Sequence, residues 1–187
     1  MSKVKNKNLL NLVLSAMFLA LGIVLPFLTG QIKEIGNMLL PMHIPVMLCG
    51  LVCGWQYGLL IGAVTPILRS ALFGMPVMFP SAIGMAFELA TYGFVIGYLF
   101  SHAKWKCIKS LYRCLLISMI CGRVVWGIVQ ACLLGLGENG FTITMFLSGA
   151  FLNAIPGIVL QLMLIPAVML ILGKTHLVHL NTKRKTE

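Results

Sequence analysis

Six nearly unbroken apolar runs divide the chain, and the residues between them are polar, basic or rich in glycine and proline. A backbone that crosses hydrocarbon must satisfy its own hydrogen bonds, and about 20 apolar residues in helical form reach across. On that criterion helices are expected at 9–28, 42–54, 57–73, 81–100, 110–136 and 145–173. The second and third are short and parted only by Trp55 and Gln56, so one broken hairpin, with five spans in all, is the alternative. The first run follows Lys3, Lys5 and Lys7, as a signal peptide would. Its length exceeds an ordinary signal core and no A-x-A cleavage pattern follows, so it is read as a retained helix.

Composition agrees with this pattern. Of 187 residues, 59% are hydrophobic and only 10% charged, whereas globular domains run near one quarter charged. With a mean hydropathy of +0.99, the chain is expected to be an all-α polytopic membrane protein, a single membrane domain over 1–187. The formal charge of +10 then reads as orientation, because cytoplasmic segments near spans collect Lys and Arg. Six spans starting inside place Lys3, Lys5, Lys7, Lys104, Lys106, Lys109, Arg113, Lys174, Lys183, Arg184 and Lys185 in the cytoplasm and only Lys33 outside. Both termini are therefore expected to be cytoplasmic, and an even number of spans is favoured. The basic residues are scattered among membrane-flanking ends with no recognition motif, so anionic lipid rather than nucleic acid is their expected partner. Cys49, Cys53, Cys107, Cys114, Cys121 and Cys132 lie mostly inside apolar runs, where cysteine behaves as a small hydrophobe. No disulfide framework, metal site or cofactor is expected from them.

Apart from Arg113 at the cytoplasmic start of the fifth run, three charged residues fall inside the runs: Arg69, Glu88 and Arg123. Each costs roughly 2.5 to 3.5 kcal/mol near a helix centre, so such residues turn to a bundle interior or a wet cavity and mark a site, or else lock helices together as an ion pair. Counted from the expected ends, Arg69 is near the outer end of the third run, Glu88 in the outer half of the fourth and Arg123 near the middle of the fifth. They can converge on an outward-facing pocket whose excess of positive charge favours an anionic ligand. Arg123, Trp126 and Gln130 recur at three and four residues, which puts a cation, an aromatic plane and an amide on one helix face. That set suits a small ligand with a carboxylate and an apolar body, against the plainer reading of a packing tryptophan and an interfacial amide. Asn153 precedes Pro156 and Gly157, which either aim polar groups at a cavity or simply kink the helix. His43, between Pro41 and Pro45, sits at the outer mouth of the second run as a ligand contact or an interfacial residue. Residues 29–41 and 74–80 carry Gly, Pro, Met and Phe and are either lids over a ligand or ordinary turns.

Small residues four apart let helices approach closely. Ala16-x-x-x-Ala20 does so in the first run and Gly54-x-x-x-Gly58-x-x-x-Gly62 at the start of the third. No G-x-x-x-x-G-K-[ST] phosphate loop occurs, and neither H-E-x-x-H, G-x-S-x-G nor paired aspartates, so neither an ATPase nor an enzyme is expected.

Taken over nearly its whole length, the chain resembles the substrate-binding S-components of energy-coupling factor (ECF) vitamin transporters: six helices, a basic leader and Ala16-x-x-x-Ala20 on the first helix. The resemblance implies a multi-pass protein of the prokaryotic plasma membrane with its ligand pocket on the outer side, covered by the loops after helices one and three. It also implies a partner module of one transmembrane coupling subunit and two ATPases, against which Ala16 and Ala20 would dock. The run Leu40-Pro41-Met42-His43-Ile44-Pro45-Val46 with Arg69, Gly74, Pro80 and Glu88 is similar to the branch that includes proposed pantothenate components. The expected substrate is thus pantothenate, with cobalamin, folate or another vitamin as alternatives. A stand-alone carrier or channel for a small polar solute is the competing reading, although six short helices leave little room for paired repeats.

Overall fold

The computed structural model describes residues 2–29, 40–103, 107–135, 142, 144, 148 and 154–174. Among these residues are six α-helices and no strand: α1 Ser2–Val24, α2 His43–Cys53, α3 Trp55–Phe73, α4 Ile83–His102, α5 Ile108–Leu134 and α6 Ile155–Lys174. A 3-10 turn, Leu25–Thr29, extends α1, and a wide π-helical turn, Met78–Ala82, leads into α4. Most of the loop expected over 29–41 lies outside the described residues. So do Asn153 and most of the stretch from 145 that was expected to open the last helix.

Five of the helices are long and apolar enough to cross a membrane; α2, with 11 residues, is not. Its length of about 16 Å is half the roughly 30 Å of a hydrocarbon core. Every residue of α2 except Val52 is buried, because the helix is enclosed by α1, α3, α4 and α6. Residues 42–54 are apolar on all sides because they face protein all round rather than lipid. Pro45 is tolerated in the first turn, where its missing N–H would have no intrahelical partner. Gly54, at φ +102° and ψ 168°, separates α2 from α3 in a conformation that a side chain would strain.

Consecutive helices from α1 to α5 run alternately up and down. Gly62 of α3 meets Leu89 of α4, Gly58 meets Gly93, and Trp55 meets Gly97, so α3 and α4 are antiparallel. Gly84 of α4 faces Gln130 of α5, and Tyr92 faces Gly122, which makes α4 and α5 antiparallel as well. Where α1 ends, Gly22 packs on Thr65 and Ile23 is bonded to Arg69. The end of the bundle at which α1 and α3 finish and α2 and α4 begin is called the upper end below. A Cβ on Gly58 would come within 2.7 Å of the Gly93 carbonyl oxygen. The Gly58 and Gly62 pair is therefore spent on the α3–α4 contact inside the chain. Ala16 and Ala20, by contrast, are exposed on α1, in line with exposed Leu9, Val13, Met17 and Val24. Exposed Leu60, Ile120, Ile128, Met163 and Ile171 continue this apolar outer surface over the other helices.

Candidate functional site

Gly84, Glu88, Tyr92 and Ile96 recur every four residues and form the buried stripe of α4. Residues at that spacing share one helix face. On α5 the corresponding buried stripe holds Gly122, Arg123, Gly127 and Gln130. The antiparallel contact brings these two stripes together, and α2 contributes its first residue, His43.

Glu88, 2% exposed, is the hub. Its Oε1 accepts a hydrogen bond from the Tyr92 hydroxyl at 3.2 Å and forms an ion pair with Arg123 Nη1 at 3.0 Å. His43 Nε2 stands 3.5 Å from the same oxygen, and its ring meets Tyr92 edge-on at 5.2 Å between centroids. A lone carboxylate in hydrocarbon would be costly. The guanidinium opposite it, held at 6% exposure, offsets that cost. One turn higher, Gly84 leaves room for Gln130: a Cβ there would lie 2.6 Å from Gln130 Nε2 and 3.6 Å from Trp126 Cδ1. Of the candidates expected from sequence, His43, Glu88 and Arg123 are thus in direct contact, with Trp126 and Gln130 one turn above.

Arg69, expected beside Glu88 and Arg123, is not brought to them. It is buried, but its Nη1 donates to the Ile23 carbonyl at 2.6 Å, and its guanidinium lies 5.0 Å from the Phe27 ring and 5.8 Å from Phe73. Helix register explains the separation. Gly62 is level with Leu89, so Arg69, seven residues further along α3, lies about 10 Å nearer the upper end than Glu88. It fastens the end of α1, where winding tightens to 3-10, onto the end of α3.

Sequence reasoning missed two polar groups. Tyr92 is one turn from Glu88, a spacing that could have revealed it. Gln161 is 1% exposed and is the lone polar side chain between Ile155 and Gly173 in α6. Among the described residues several buried polar atoms have no hydrogen-bond partner: His43 Nδ1, Arg123 Nη2, Gln130 Oε1 and Gln161 Nε2, while His43 Nε2 has only the 3.5 Å approach to Glu88. Native interiors rarely leave such atoms unpaired, since each costs about 1–3 kcal/mol. All six cysteines are free, and no group of three or more His, Cys, Asp or Glu comes together among the described residues.

The fold and this centre define a helical membrane protein with a charged and polar site in its interior. Residues 10–170, from the first turns of α1 to the last turn of α6, match the family model of the ECF transporter, substrate-specific component, and the chain belongs to that family. Its members are substrate-binding components of importers for vitamin-type substrates, not enzymes, and they work with an ECF module. Comparison with curated proteins and with solved structures returned no match.

Proposed function

We propose that this chain captures a water-soluble vitamin, pantothenate in the finer reading, at its upper end, which faces the outside. The ligand lies against His43, Arg123, Trp126 and Gln130, with Glu88 orienting Arg123. Arg69 fixes the end of α1 above the site. The observation that carries this reading is the set of unpaired polar atoms on His43, Arg123 and Gln130. Hydrogen-bonding capacity left unused in a dry interior is what a polar ligand would take up.

The exposed pair Ala16 and Ala20 on α1 supports a second element of the proposal. Their small side chains form the place where the coupling subunit approaches, and the ATPases act through that subunit, with both termini of this chain in the cytoplasm. Mass spectrometry of the small molecule retained by detergent-purified protein tests the substrate: pantothenate supports the finer reading, and another vitamin replaces it. A charge-assisted hydrogen bond is worth roughly 1.5–3 kcal/mol, so Arg123→Ala should weaken binding about tenfold or more. Unchanged affinity in a folded variant would remove Arg123 from the site.

A further inference from the structure

The buried site is electrically balanced. Two arginines against one glutamate in the apolar runs favour an anionic ligand, but the structure separates the arginines. Arg69 is committed to the Ile23 carbonyl, which leaves Arg123 and Glu88 paired with each other at 3.0 Å. One cation faces one anion, so the Arg123–Glu88 pair carries no net charge. A substrate carboxylate brought to Arg123 would compete with Glu88 for one guanidinium. Two carboxylates sharing a buried site resist being ionised together.

The unpaired atoms ask for a different chemistry. Arg123 Nη2 is a donor, Gln130 Oε1 is an acceptor, and His43 Nδ1 donates or accepts according to its tautomer. An amide, lactam or hydroxyl satisfies such a set without adding charge to a low-dielectric interior. A carboxylate or phosphate can only accept, and it brings a charge with no free counter-charge among these residues. Resting on the reading of this chain as a substrate-binding subunit, we infer that the part of the substrate seated at Arg123 is an uncharged group that both donates and accepts hydrogen bonds. Any acidic group of the substrate lies away from the Glu88 cluster.

Matched acid and neutral pairs test this in the purified protein: pantothenate against panthenol, biotin against biotinamide, and nicotinate against nicotinamide. Binding is read by tryptophan fluorescence and by displacement of the retained molecule. If that molecule falls outside the pairs, it and its own amide are compared instead. The neutral member should bind within about threefold of the acid or more tightly, and Glu88→Gln, which leaves Arg123 unopposed, should move the preference about tenfold or more toward the acid. A wild-type preference for the acid of more than about tenfold that disappears in a folded Arg123→Ala protein overturns the inference. An unchanged preference in a folded Glu88→Gln protein overturns it too. A protein that retains no small molecule and binds no pair contradicts the substrate-binding reading itself, and the inference falls with it.

Discussion

Gly84→Ala and Gly93→Ala place the same methyl group at two levels of α4, and they are expected to damage different properties. At Gly84 the new Cβ would meet Gln130 Nε2 at 2.6 Å, Gln130 Cδ at 3.3 Å and Trp126 Cδ1 at 3.6 Å, all side-chain atoms. The far end of a glutamine yields by torsion, at about 0.5–1.5 kcal/mol for a displaced rotamer. Replacing glycine inside a helix returns about 0.5–1 kcal/mol. These two effects nearly cancel, so the melting temperature should hardly move. The Gln130 amide, however, is displaced, and a lost neutral hydrogen bond of about 0.5–1.5 kcal/mol weakens ligand binding about two- to tenfold. At Gly93 the methyl would instead run into the backbone of Gly58, including its carbonyl oxygen. No rotamer change relieves that contact, and α3 and α4 must part along their glycine seam. Overpacking typically costs about 1–3 kcal/mol, and a clash with backbone belongs at or above the top of that range. Thermal denaturation in detergent and titration with the retained ligand separate the two cases. Equal destabilisation by both substitutions would refute the distinction, and full affinity in Gly84→Ala would detach Gln130 from the ligand.

Three further outcomes are expected. Ala16→Leu or Ala20→Leu adds bulk on the exposed face of α1, so uptake by the full transporter should fall while the isolated chain still binds its ligand; loss of both would show that the positions serve internal packing. Arg69→Gln removes a charged hydrogen bond worth about 1.5–3 kcal/mol, so the melting temperature should drop while affinity per folded molecule changes little, and a selective loss of affinity would return Arg69 to the ligand. Tags at both termini should be cytoplasmic and a reporter between Gly135 and Gly140 outside, and accessibility mapping that finds the termini on opposite sides would defeat the orientation drawn from the basic residues.

Much of the helical plan was legible because hydrocarbon imposes length and apolarity directly on sequence, and α3, α4 and α5 fall within a few residues of their apolar runs. The role of α2 was not. A segment apolar on every side looks the same whether it is surrounded by lipid or by protein. The intramembrane charges stood out by cost alone, but their pairing depends on helix register. The stagger of α3 against α4 takes Arg69 two turns from Glu88, and nothing in the spacing of Arg69, Glu88 and Arg123 encodes that stagger. The two small-residue motifs likewise look alike in sequence, and only the fold turns Gly58 inward and Ala16 outward.

The enclosure of α2 also bears on how the molecule is made. A helix of 11 residues whose first turn carries His43 and Pro45 has no stable place in lipid on its own. It must enter the membrane together with α3, joined through Gly54, and remain incompletely covered until α4 and α6, synthesised later, close around it. The last helix thus completes the burial of one of the first. A chain that stops short of α6 would present the flank of α2 to lipid and to the quality-control proteases that patrol it.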